Sequence, residues 1–384
     1  MARRLLLGLL LPSFAASWAH SLWPDGAPNA TASGPKHSPR ITVVDRTEKG
    51  AQPRAAVVIL PGGGYAQLST SAALEAARWL NARGIVGYVV EYRLGTNGYL
   101  WPVPARDAAR ALRWARHHAA KNLGIPSASV GVWGFSAGGH LAALLAVRGD
   151  DALDAAAEAP AWPRDPIDEP RWRGPPAFAI LAYPVVTMAS PHAHIGSRRH
   201  LLGCREESEC DARLVWAASA EAHVSDAAPP TFIFHTRDDP IVPVQNALAL
   251  YSALVDRGVA NVELHAYQHG PHGSGLGTGL GQIATWPNRL EGWLRLNGII
   301  DAAAATAAAA DDAAATAAAD DATTVVAGDA MTARQHKQRR VPRGSHTTRD
   351  DATSLKLKQG ARVVNVNGHT HKYVHAAGSS HTHE

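Results

Sequence analysis

The sequence predicts an α/β fold, a mostly parallel central sheet inside a three-layer α/β/α sandwich. Three observations carry this. Short apolar runs alternate with segments of helical spacing from residue 56 onward. The runs are continuously apolar rather than alternating, as strands covered on both faces require. Gly-rich turns follow two of the runs, at Pro61-Gly62-Gly63-Gly64 and at Gly134-Phe135-Ser136-Ala137-Gly138.

The elements follow in order. Ala56 to Leu60 reads as the first strand. Ala72 to Arg83 has helical spacing and stops at Gly84. Ile85 to Tyr92 is a β-branched and aromatic strand. Pro104, acceptable in a first helical turn, opens a long helix towards Lys121. Val130 to Phe135 is a strand and Ala137 to Val147 a helix. Strands at Phe178 to Val185, Thr231 to His235 and Val262 to Tyr267 follow. Helices are expected at Val244 to Arg257 and Thr285 to Leu296. Residues 186–230 make a connection long enough to serve as a lid or pocket wall. In sheets of this kind the chemistry lies at the carboxyl ends of the strands.

The chain divides by composition. Apart from Tyr373, every aromatic residue precedes residue 300. Folding needs large apolar side chains to offset chain entropy, so residues 301–384 are expected to form a disordered low-complexity tail. Its histidines read as solvated filler rather than metal ligands. Residues 20–300 are then one catalytic-size domain. A hydrophobic content of 46% excludes a wholly disordered protein. The net charge of +4, half of it from Arg3 and Arg4, supplies no argument for nucleic-acid binding.

Arg3 and Arg4 precede an apolar run from Leu5 to Ala16, and Ser17-Trp18-Ala19 offers a small-x-small cleavage site. Residues 1–19 therefore read as a secretory signal peptide, cut after Ala19. The run is too short to span a bilayer and Pro12 interrupts it, so no stable membrane insertion is expected. In a secreted protein Cys204 and Cys210 are candidates for a disulfide, and Asn29 for a glycan at Asn29-Ala30-Thr31.

Gly134 to Gly138 matches the nucleophile-elbow pattern and lies where a strand ends and a helix begins. That turn lifts Ser136 above the sheet edge, beside the backbone N–H groups of a helix N-terminus. A serine needs a base, and on this fold the partners follow in the order Ser, Asp, His. Asp239 is the candidate acid, since Pro240 would fix the turn after it, with Asp238 as the alternative. His272, in a Gly-rich loop suited to swinging an imidazole onto Ser136, is the candidate base, with His269 competing. Acyl transfer also develops negative charge on a carbonyl oxygen. The N–H groups of Gly63, Gly64 and Ala137 are candidates to stabilise it, and Gly62 could replace Gly64. The four parts together indicate a serine hydrolase that needs no metal or cofactor.

The chain also resembles the α/β-hydrolase branch that contains acetyl xylan esterases and related, xylanase-B-like carbohydrate esterases. The matching segments are Leu22 to Pro28, Pro61 to Tyr65, Glu91 to Leu94, Gly134 to Ala142, Ser197 to Gly203, Pro229 to Val242 and Gly270 to Gly273. The resemblance implies a secreted or cell-associated esterase removing short acyl groups, typically acetyl, from carbohydrate hydroxyls. It implies Ser136 as nucleophile, His272 as base and Asp239 as the residue orienting it. Broader lipase-like relatives often begin the glycine loop with His. Pro61 here fits the carbohydrate-esterase branch better.

Tyr65 and Tyr183 are expected as pocket walls, Tyr183 having core packing as its alternative, and His140 as a structural residue. The competing functions are a generic short-chain carboxylesterase or lipase, a serine peptidase, and a non-catalytic binding protein on the same fold. Too little chain precedes the first strand for the propeller that related peptidases carry.

Overall fold

Strands β3 (Ala55–Leu60), β5 (Val130–Phe135) and β7 (Thr231–Thr236) are buried at every position, which explains the unbroken apolar character of β3 and β5 and the apolar centre of β7. The structure is a computed structural model that describes residues 18–45, 53–155, 165–301, 363–366 and 369–372. The first seventeen residues, with the expected signal run, lie outside the described residues.

Together with β1 (Trp18–Ser21), β2 (Arg40–Val44), β4 (Ile85–Glu91), β6 (Ala179–Ala182) and β8 (Val262–Tyr267), these strands form one sheet. Its order is β1-β2-β4-β3-β5-β6-β7-β8. From β4 to β8 neighbouring strands are parallel, whereas β1 and β2 are antiparallel additions at one edge.

Successive residues feed opposite faces. Val57, Ile59, Trp133 and Phe135 pack with helices α1 (Thr70–Asn81) and α7 (Trp286–Leu296). Val58, Leu60 and Val132 pack with α2 (Val103–Asn122), α3 (Ala137–Ala155) and α6 (Gln245–Asp256). Helix α7 shows why the spacing works. Trp286, Leu290, Trp293 and Leu294 recur on one stripe and are all buried. Fully burying a side chain such as Leu290 stabilises the fold by roughly 1.5–3 kcal/mol.

Several expectations need correction. Ala55–Leu60 is the third strand rather than the first, because the preceding segment supplies β1 and β2. The strand expected to reach Val185 ends at Ala182, since Tyr183 turns to φ 38° and Pro184 has no N–H for a ladder. Helix α3 runs past Val147 to Ala155, with non-helical geometry at Gly149.

The N-terminal segment is strapped to α2. Arg93 pairs with Asp107 at 2.7 Å, both buried, and donates to the Pro28 carbonyl. Arg110 Nε donates to the Leu22 carbonyl at 3.0 Å. The connection after β6 contains helices α4 (Ile195–Leu202) and α5 (Ala212–Ala217), and Cys204 is bonded to Cys210.

Residues 363–372 belong to a second unit. There β9 (Val363–Val366) and β10 (His369–Lys372) pair antiparallel, so these residues depart from the expected structureless tail. Three valines within four residues, followed by Asn367-Gly368, are a hairpin signal in an otherwise polar stretch. The rest of that expectation falls outside the described residues. Among the described residues no helix is long and apolar enough to cross a membrane.

Candidate active site

Ser136 stands between the end of β5 and the start of α3 at φ 52°, a conformation side chains rarely adopt. Three bonds hold it there. Its N–H donates to the Ala182 carbonyl, and its own carbonyl accepts from Val185 and His140 N–H. The turn closes because position 138 is glycine. A Cβ there would meet the Leu60 carbonyl oxygen at 2.0 Å.

His272, from the loop after β8, puts Nε2 2.8 Å from Ser136 Oγ and Nδ1 2.7 Å from Asp239 Oδ2. The other candidate pair forms separately. His269 Nδ1 meets Asp238 Oδ2 at 2.7 Å on the exposed side of the same loop. Of the two pairs, His272 with Asp239 behind it is the one that meets the serine. Burial alone would raise the Asp239 carboxyl, but hydrogen bonds from His235, His272 and the N–H groups of Val242 and Ile241 outweigh it. They hold the group well below the usual carboxylate range.

The His272 loop is tethered in place. Gly275 N–H donates to the Tyr183 hydroxyl at 3.1 Å, and Trp286 Nε1 donates to the Gly275 carbonyl. Thr236 Oγ1 donates to the Gly270 carbonyl at 2.9 Å. The imidazole expected to swing onto Ser136 is thus already seated. Tyr183 lines the cleft and is also packed, its ring meeting that of His272 edge-on at 5.0 Å. Burial pushes its hydroxyl upward, so it stays protonated.

A cleft of 390 Å³ opens above Ser136, with Gly62, Gly63 and Gly64 forming one wall. Gly63 has φ 128°, and a Cβ there would lie 2.1 Å from the Gln67 carbonyl oxygen. Among the described residues, no backbone acceptor meets the N–H of Gly63, Gly64 or Ala137.

Tyr65 does not line this cleft, which corrects its expected place as a pocket wall. After the positive φ at Gly64 and at Tyr65 itself, the ring turns into the core. Its hydroxyl donates to His140 Nδ1 at 2.6 Å, while His140 Nε2 donates to the Ala218 carbonyl. Burial lowers His140 to about 4, so it is a neutral structural link.

The cleft is also lined by residues that the motifs did not single out. His194, Gly196 and His200 come from the connection after β6, and Ile241 follows Asp239. His200 Nδ1 donates to the Gly64 carbonyl at 2.9 Å, fastening α4 to the glycine loop. The only sequence signal was the cluster of histidines within the long connection.

The sheet order, the strand–turn–helix that carries Ser136 and the placement of His272 define an α/β-hydrolase fold. Residues 44–254 match the BD-FAE family, and the chain belongs to it. An acetylxylan esterase of Xylanibacter ruminicola is 34% identical over 226 residues, 58% of this chain and 42% of that protein. Endo-1,4-beta-xylanase B of Butyrivibrio fibrisolvens is 31% identical over 225 residues, 57% of this chain and 32% of the other. The chain thus spans less than half the length of these two relatives. The crystal structure of an acetyl ester-xyloside bifunctional hydrolase from Caldicellulosiruptor lactoaceticus is 34% identical, with a TM-score of 0.63. The match covers 74% of this chain and 97% of that one.

Proposed function

We propose that this protein is a serine esterase that removes short acyl groups, acetyl above all, from carbohydrate hydroxyls such as those of acetylated xylan. The observation carrying this reading is the 2.8 Å approach of His272 Nε2 to Ser136 Oγ, beside a wall of glycine backbone. A nucleophile, its base and unpaired N–H donors within one cleft are what acyl transfer needs. The acetyl and carbohydrate assignments are supported by the acetylxylan esterase and the acetyl ester-xyloside hydrolase that the chain resembles. The polar side chains of Gln67, Ser69, His194 and His200 around the cleft suit a hydroxylated substrate.

In this reading Ser136 Oγ attacks the ester carbonyl carbon as its proton passes to His272 Nε2. Asp239 holds Nδ1–H and stabilises the imidazolium. The oxyanion is received by the N–H groups of the glycine loop, Gly63 and Gly64, and of Ala137, each worth about 3–4 kcal/mol. The C–O bond breaks, and His272 returns the proton to the departing sugar oxygen. Water then attacks the acyl-enzyme, gives a proton to His272 and releases the acid, restoring Ser136.

We place this activity outside the cell. Support comes from the basic and apolar leader with its Ala19 site and from the Cys204–Cys210 bond, which suits an oxidising compartment. Asn29 is exposed, as a glycan acceptor must be. Sequencing the N-terminus of the exported protein tests the cleavage point.

The activity is tested with p-nitrophenyl esters of increasing acyl length, comparing wild type with Ser136→Ala. The expected result is turnover greatest on acetate, falling by butyrate and lost in the variant, followed by acetate release from acetylated xylan. Preference for long chains would reassign the protein to the lipases. Folded wild-type protein without Ser136-dependent ester turnover would sink the esterase reading.

A further inference from the structure

We propose that His194 is a specificity-determining residue, whose Nε2–H holds an oxygen of the alcohol portion of the substrate beside the ester being cut. The inference rests on the carbohydrate-esterase reading and adds to it the group that recognises the sugar.

His194 caps α4, and its Nδ1 lies 3.3 Å from the Ser197 backbone nitrogen and 2.8 Å from Ser197 Oγ. A backbone N–H only donates, so Nδ1 is an acceptor and the proton of the neutral ring sits on Nε2. Ser197 is fully buried, which fixes the ring from behind. In front, the ring edge lies against two glycines. A Cβ at position 196 would come within 3.1 Å of Cε1 and 3.2 Å of Nε2, and one at position 64 within 3.7 Å of Cε1. The edge bearing Nε2–H therefore stands in the cleft wall that also contains Ser136 and His272. Among the described residues no acceptor meets Nε2. Burial, with the neighbouring His272 opposing a second positive charge, keeps His194 below the ordinary histidine range and hence neutral.

The alcohol side follows from the chemistry. The glycine loop and Ala137 supply N–H groups for the acyl oxygen, whereas His272 must face the departing oxygen to return its proton. His194 lines the same cleft as His272, and since the acyl oxygen already has its own N–H donors, we assign the His194 Nε2–H to the alcohol side. There a sugar presents hydroxyl or ring oxygens next to the acetylated carbon, and an aryl leaving group presents none.

The test compares two acetates that share an acyl group, p-nitrophenyl acetate and an acetylated methyl xyloside. His194→Asn keeps an oxygen that can cap Ser197 N–H but removes the donor that reaches the cleft. His194→Gln keeps a donor at about the position of Nε2. For His194→Asn, kcat/KM on the sugar acetate should fall about 10-fold or more, as losing the partner of a substrate oxygen predicts. On p-nitrophenyl acetate it should change by less than about threefold. His194→Gln should recover most of the loss on the sugar. Equal losses on both esters, or no loss on the sugar, would overturn the proposal while leaving the esterase reading intact. Wild-type turnover of the aryl acetate without any of the sugar acetate would remove the carbohydrate reading, and this proposal with it.

Discussion

His235 Nε2 lies 3.4 Å from Asp239 Oδ2, the same oxygen that meets His272 Nδ1 at 2.7 Å. His235 is fully buried at the end of β7, and its Nε2–H is shared with the Val242 carbonyl at 3.0 Å. The other carboxylate oxygen of Asp239 accepts from Ile241 and Val242 N–H at 2.8 and 2.9 Å. Backbone thus holds one oxygen and two histidines hold the other. Asp239→Asn should lower kcat by roughly 10³–10⁴ through loss of the carboxylate that orients the base. His235→Leu should cost about 10-fold, because only one of four donors is removed. Steady-state kinetics on p-nitrophenyl acetate separates the two, and a wild-type rate in His235→Leu would show the backbone donors suffice.

The bond from His200 Nδ1 to the Gly64 carbonyl makes a different prediction. Preorganised N–H donors act on charge that exists only in the transition state. Loosening the loop that carries them should lower kcat more than it changes KM. For His200→Phe we expect kcat to fall about 10-fold with KM within about twofold. A rise in KM at constant kcat would instead assign His200 to ground-state binding.

Much of this arrangement was legible in the sequence, for identifiable reasons. Runs such as Val130–Phe135 are apolar throughout because both faces are covered, so they stand out without any alternation. Strand β2 did not, since Arg40-Ile41-Thr42-Val43-Val44 is short and only partly buried. The elbow was readable because the close approach of residue 138 to the Leu60 carbonyl demands glycine. The choice between Asp239 with His272 and Asp238 with His269 was only weakly marked, since adjacent residues on one pair of loops offer both. Tyr65 was misplaced because being next to the glycine loop in sequence says nothing of which way the ring turns. His194 and His200 enter the site only through the path of the connection after β6, which no local pattern encodes.

That connection carries the disulfide, placed just after α4 and its two cleft histidines. Closing a loop across six positions stabilises the native state by about 2 kcal/mol in the chain-entropy model. Replacing both cysteines with serine should lower the urea midpoint accordingly, as should reductant with the wild type. Activity per folded molecule should stay near wild type, because neither cysteine lines the cleft. An unchanged midpoint would show that the loop is already restrained without the bond.

His140 links stability to pH. Burial lowers it from an ordinary value of 6.5 to about 4, with the Ala218 carbonyl only partly opposing the shift. Because the folded value is depressed, the unfolded chain binds a proton that the native state refuses between these two values. Its contribution is fully present above about pH 6.5 and is lost as pH falls towards 4. The size is on the order of 3 kcal/mol for a gap of this width. Urea unfolding of the wild type should therefore show stability falling across that window. His140→Gln, which cannot titrate, should be less stable at neutral pH but show a flatter slope from pH 6.5 to 4. Identical slopes in the two proteins would mean that other groups set the acid sensitivity, and that the link from Tyr65 through His140 to Ala218 survives protonation.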